Sequence, residues 1–147
     1  MLAIGNELRG DDGLGPLFAK KLSQNTNDSS NVVVIDGGTV PENFTGSLRN
    51  EKPTHVILID AVEMNGNPGD IEFIEKERIS QFNVSTHAMP ISFLIKYLET
   101  TSSFKIILIG IQPKKMVLGE EVTLEVENSL NDLVNIFKKS FKDYDLI

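Results

Sequence analysis

Two adjacent carboxylates, Asp11 and Asp12, sit in a glycine-punctuated stretch, Gly5-Asn6-Glu7-Leu8-Arg9-Gly10-Asp11-Asp12-Gly13. Further chemistry-bearing groups stand in similar surroundings. Asp36 opens Asp36-Gly37-Gly38-Thr39, Asp60 directly follows the apolar run 56–59, and His87 ends Ser85-Thr86-His87. Two carboxylates and an imidazole suit a divalent borderline metal such as nickel, zinc or manganese, with coordination positions left open. The same groups could serve as an acid/base set beside a scissile bond.

Other chemistries fail on residue type. Gly5 and Gly10 have the spacing that opens a phosphate-binding loop, but Asp11 and Asp12 stand where Lys and Ser or Thr belong. Carboxylates there repel phosphate. No G-x-G-x-x-G marks a dinucleotide site, and there is no G-x-S-x-G elbow and no H-E-x-x-H pair. The absence of cysteine removes a thiol nucleophile, a thiolate metal site and a disulfide framework.

Each candidate has a structural alternative. Asp11 or Asp12 could cap the helix that follows, and Asp36 with its two glycines could simply build a turn. Asp60 is harder to explain in that way, because burying a lone charge at the rim of a core is costly. A single histidine such as His87 is more often structural than a ligand. His55 precedes the apolar run 56–59 and therefore belongs to the opposite edge from the carboxylates, as a structural or exposed residue.

The elements that must position these groups follow from apolar patterning. Short apolar runs at 2–4, 32–35, 56–59 and 106–109 read as buried strands of a parallel sheet. The first is short for a buried strand and reads as one cut short at its beginning. Leu14, Leu17, Phe18 and Leu22 repeat at helical spacing, as do Ile91, Leu94, Ile95 and Leu98. Val126, Leu130, Leu133, Val134, Phe137 and Phe141 form the longest stripe, and a weaker helix is expected over 42–49. Asn65-Gly66-Asn67-Pro68-Gly69 is a turn signal, so Ile71 and Phe73 after it predict an added, antiparallel edge strand. Strands alternating with helices predict a three-layer α/β fold: a mostly parallel twisted sheet of about five strands, with helices on both faces. The polar turns after the runs then emerge at the carboxyl edge, where open α/β folds place ligand sites. Residues 25–31 read as a polar loop.

The 147 residues predict one α/β domain spanning 1–147. A net charge of −7 and the lack of any polybasic stretch argue against nucleic-acid or anionic-membrane binding. No apolar run approaches a membrane span, and 1–4 is too short for a signal-peptide core. A soluble cytoplasmic protein is the expectation.

The order of these motifs, together with Gly13-Leu14-Gly15-Pro16 and Ile109-Gly110-Ile111-Gln112-Pro113-Lys114, resembles the hydrogenase maturation endopeptidases over essentially the whole chain. The resemblance implies a protease that removes a short C-terminal extension from a nickel–iron hydrogenase large-subunit precursor after nickel insertion. It implies a twisted sheet flanked by helices. The family's metal set falls on Asp12, Asp60 and His87, with nickel presented by the precursor. Asp12 and Asp60 are thereby also catalytic candidates. Asp36 matches a further family aspartate of catalytic or structural role. The metal then acts as a Lewis acid or only as a recognition element. A nickel-dependent binding or assembly-checkpoint module without cleavage activity would use the same three residues, as would an unrelated metallo-hydrolase of small molecules.

Overall fold

The computed structural model describes residues 1–24, 31–84 and 89–144. The chain opens with β1 (Leu2–Ala3), a 3-10 turn at Gly10–Gly13 and α1 (Leu14–Ser23). After β2 (Ile35–Asp36), a 3-10 turn at Pro41–Phe44 leads into α2 (Thr45–Asn50). The central strand β3 (His55–Glu63) is followed by β4 (Ile71–Glu75), a 3-10 turn at Lys76–Gln81 and the short β5 (Asn83–Val84). Helix α3 (Ile91–Thr101), strand β6 (Lys105–Ile111) and helix α4 (Leu124–Tyr144) complete it.

The sheet order is β2-β1-β3-β6-β4, with β5 joined to β3 off this path. Strands β2, β1, β3 and β6 run parallel, and β3 and β6 pair from His55 with Lys105 to Ala61 with Ile111. As the turn at 65–69 predicted, β4 is an antiparallel edge strand, with Ile71 opposite Ile111 and Glu75 opposite Ile107.

The core lies on both faces of this sheet. Val56, Leu58 and Val62 of β3 and Leu108 of β6 pack with Leu48 of α2 and Ile91, Leu94, Ile95 and Leu98 of α3. The alternate positions Ile59, Ala61, Ile109 and Ile111 pack with Leu14, Phe18 and Leu22 of α1 and with Val126, Leu130 and Leu133 of α4. The two-residue period of the strands thus divides one apolar run between two helical layers.

Several boundaries differ from expectation, and β6 runs from Lys105 to Ile111 rather than over 106–109. Strand β2 falls at Ile35–Asp36 rather than 32–35, because its ladder exists only where β1 lies opposite, Leu2 with Ile35 and Ala3 with Asp36. The weak helix over 42–49 is a 3-10 turn followed by α2. Strand β3 continues past Ile59 to Glu63, because β6 extends to Ile111 and β5 pairs antiparallel with Val62 and Glu63. Asp60 therefore lies inside the strand rather than in the turn after it. Among the described residues no helix is long and apolar enough to cross a membrane. Of the polar loop read at 25–31, all but Asn31 lies outside the described residues.

Candidate active site

The carboxyl edge is assembled by the chain leaving β1. The Ile4 N–H donates to the Ile59 carbonyl at 2.9 Å, and the Gly5 N–H donates to the Gly38 carbonyl at 2.9 Å. One two-residue step thus ties the first turn to β3 on one side and to the Asp36-Gly37-Gly38 turn on the other. The same turn folds back on itself. Asn6 N–H donates to the Asp12 carbonyl at 3.0 Å, Arg9 N–H to the Asn6 carbonyl at 3.1 Å, and Asp12 N–H to the Arg9 carbonyl at 3.2 Å. Gly5 is required here. Its φ is +147°, and a Cβ would stand 1.9 Å from the Asp12 carbonyl oxygen. That close approach sets Asp12 against the chain one residue beyond Ile4, whose backbone is bonded to the residue before Asp60.

Three carboxylates are buried at this edge, Asp11, Asp12 and Asp60. Their environments differ. Asp11 is saturated: Oδ2 accepts from the N–H groups of Lys114 (2.8 Å) and Lys115 (2.9 Å), and Oδ1 accepts from Thr123 N–H (2.7 Å). The Thr123 hydroxyl adds contacts at 2.9 and 3.0 Å. Asp11 thereby clamps the segment after β6 and the approach to α4 onto the first turn. Asp12 Oδ1 is buried with no hydrogen-bond partner among the described residues. An unsatisfied buried polar atom costs about 1–3 kcal/mol, more if charged, and a bound cation removes that cost. Asp60 Oδ1 accepts from the Ala61 N–H at 2.8 Å. It shares its strand face with Val62, and its partner across the ladder is Gly110, which brings no side chain beside it.

The capping alternative for Asp11 and Asp12 is not realised, since neither the 3-10 turn nor α1 has a side-chain cap bond. The turn-building alternative for Asp36 is: it is exposed, and its Oδ1 accepts from Gly38 N–H at 3.0 Å. It nonetheless stands at this edge, in register with Ala3, which is in register with Ile59; two strand spacings are about 10 Å. His55 is exposed at the far end of β3, its Nδ1 3.0 Å from the Thr54 hydroxyl, as its place in the sequence implied. His87 lies outside the described residues. Among the described residues no group of three His, Asp or Glu side chains could hold a metal ion.

Gln112, which the sequence offered only as part of the motif at 109–114 and without a role, is a structural centre. Its buried amide accepts from Met64 N–H (2.7 Å) and Gly66 N–H (3.2 Å) and donates to Glu63 Oε1 (2.9 Å) and the Pro113 carbonyl (3.1 Å). It fixes the turn between β3 and β4 against the end of β6. The available signal was a polar residue placed directly after a buried apolar run.

Open α/β sheets place ligand sites at the carboxyl edge, and this mostly parallel sheet carries buried carboxylates there. Residues 16–140 match the family model described as HycI, hydrogenase maturation protease. The chain is 41% identical to the hydrogenase 3 maturation protease of Escherichia coli K12 over 114 residues, covering 77% of this chain and 71% of that one. The crystal structure of a [NiFe] hydrogenase maturation protease HycI from Thermococcus kodakarensis superposes with a TM-score of 0.85 at 28% identity, covering 96% of this chain and 90% of that one. The solution structure of an endopeptidase HycI from Escherichia coli gives 0.81 at 33% identity, covering 94% and 87%. The chain belongs to the hydrogenase maturation protease family, and it is an enzyme of the peptidase class.

Proposed function

We propose that this protease removes the C-terminal extension of a nickel–iron hydrogenase large-subunit precursor after nickel insertion, and that Asp12, Asp60 and His87 recognise the nickel which the precursor carries. The observation that carries the reading is the buried Oδ1 of Asp12, without a partner among the described residues, beside the strand that holds Asp60. Carboxylate oxygens suit a divalent cation, and two of them with one imidazole leave room for donors from another molecule. His87 comes three residues after Val84, which pairs with Val62 two positions beyond Asp60. Three residues of chain reach at most about 11 Å, so the topology supports the three-residue set.

In this reading the precursor supplies both the scissile peptide and the metal. Asp12 and Asp60 orient the nickel-bearing end of the precursor. A carboxylate at the edge accepts a proton from the attacking water as its oxygen adds to the scissile carbonyl. The proton passes to the departing amine as the C–N bond breaks. Asp36, about two strand spacings away, is a candidate for that proton transfer. Other divalent metals fit the same oxygen donors. The net charge of −7 supports a protein rather than a nucleic-acid substrate, and the site of action in this reading is cytoplasmic.

Incubation with nickel-loaded and nickel-free precursor, followed by intact mass, tests the reading. The loaded form loses its extension and the free form does not. Equal cleavage of both overturns nickel recognition; cleavage of neither overturns the assigned substrate and favours a binding role without chemistry.

A further inference from the structure

Two loops at the rim of the carboxyl edge carry large aliphatic side chains outward. Leu8, at the tip of the first turn, is 63% exposed, and Val117 and Leu118, after β6, are 44% and 69% exposed. Their backbones are joined. Gly119 N–H donates to the Leu8 carbonyl at 2.8 Å, and Gly10 N–H donates to the Glu120 carbonyl at 2.9 Å. The Arg9 guanidinium lies 3.5 Å from the Met116 carbonyl. Gly10 has φ +57°, and a Cβ there would meet the Lys115 carbonyl oxygen at 2.5 Å, so the two loops touch through backbone. Asp11 bonds the base of the second loop to the first.

This apolar surface is not a consequence of slack. The backbone around it is hydrogen-bonded and a glycine permits the close fit, yet the side chains point away from the core. Exposed aliphatic clusters of this kind mark interaction sites more often than scattered single residues do. We infer that Leu8, Val117 and Leu118 form a docking surface for an extended apolar segment of the polypeptide substrate, next to its scissile bond.

Three observations select this occupant. Leu8 belongs to the same folded turn as Asp12, four residues away, and four residues of extended peptide span about 14 Å at most. The surface is therefore continuous with the candidate active site at the reach of a few substrate residues. Strand addition is disfavoured, since the Leu8 N–H is bonded to Asn6 Oδ1 at 3.0 Å and its carbonyl to Gly119. Recognition must then come from side-chain burial. The two lysines of the rim are each ion-paired, Lys114 with Glu125 and Lys115 with Glu120, while Glu7 and Glu121 are exposed, so no free lysine is left there to select an acidic segment.

The inference rests on the proposed protease reading, so its test has a cleavage arm and a binding arm. Wild type, Leu8→Ser, Leu118→Ser and the double variant are compared, with Phe93→Ser on α3, also exposed at 64%, as the control. All are checked for wild-type melting, and Ser is chosen over a charge to keep them folded. Steady-state cleavage of nickel-loaded precursor gives KM and kcat. Calorimetric titration with the nickel-free precursor, which is not cleaved, gives Kd without turnover. The docking surface predicts that the double variant raises KM and Kd at least about tenfold, with kcat within about twofold and the control unchanged. Cleavage by wild type with KM and Kd unaffected in the double variant overturns the docking surface and leaves the protease reading standing. Binding that depends on the patch but yields no product overturns the protease reading alone. A concentration-dependent dimer lost in the double variant, with KM unchanged, makes a second copy the occupant and overturns the inference.

Discussion

Asp11 and Asp12 are neighbours, both buried in one 3-10 turn, and their carboxylates meet opposite environments. Three backbone N–H groups and a hydroxyl converge on Asp11, whereas Oδ1 of Asp12 has no partner among the described residues. The two substitutions should therefore separate. Asp11→Ala strands three part-buried donors and should destabilise the fold by about 1–3 kcal/mol. Asp12→Asn should change stability by less than about 1 kcal/mol while removing cleavage. Urea denaturation beside a cleavage assay measures both, and a large stability loss in Asp12→Asn would move that residue into the structural class.

Asp60 is itself fully buried in the central strand, and its role is tested against a neighbour that only packs. Asp60→Asn keeps the shape and should leave soluble, folded protein with processing abolished. Leu58→Ala, two positions earlier and fully buried, should cost about 2–5 kcal/mol through lost burial and a cavity. Comparable unfolding midpoints for the two variants would show that Asp60 is held for stability.

Gly5 links strand geometry to the site. Gly5→Ala introduces a Cβ 1.9 Å from the Asp12 carbonyl oxygen at a backbone conformation that L residues rarely adopt. The expected outcome is a loss of about 2–4 kcal/mol and displaced carboxylates. Chemical-shift changes centred on residues 5–13, with most of the sheet unperturbed, would verify it.

His87→Ala should lower cleavage of nickel-loaded precursor by about tenfold or more, the scale at which one lost metal donor or its support is felt. Binding of the nickel-free precursor should be unaffected. A titration of each precursor form against the variant checks this, and equal weakening toward both forms would deny the histidine any role in metal recognition.

Much of this architecture was legible because strands buried on both faces are continuous apolar runs. The run at 56–59 and the run at 106–109 locate β3 and β6, and the asparagine–glycine–proline turn at 65–69 announces the antiparallel strand that follows. Lengths were less legible. Asp60, Gly110 and Glu63 look like strand terminators, yet ladder pairing with β6 and β5 carries β3 through its aspartate. Pairing is a property of neighbours, and local residue type does not encode it. The division of labour between Asp11 and Asp12 was hidden for a similar reason. Asp11's donors are Lys114, Lys115 and Thr123, more than a hundred residues away, and only the folded chain brings them together. Asp36 shows the converse, since an aspartate followed by two glycines forms its hydrogen bond locally, two residues on.

The Asp11 clamp also has a consequence in time. Loop amides ordinarily open and exchange with solvent far more readily than those of a sheet. The amides of Lys114, Lys115 and Thr123 instead end on a buried carboxylate, so they open only when the base of the rim itself comes apart. The protease thus meets its substrate with the backbone of this rim already fixed. The ordering entropy of the encounter falls mainly on the arriving substrate.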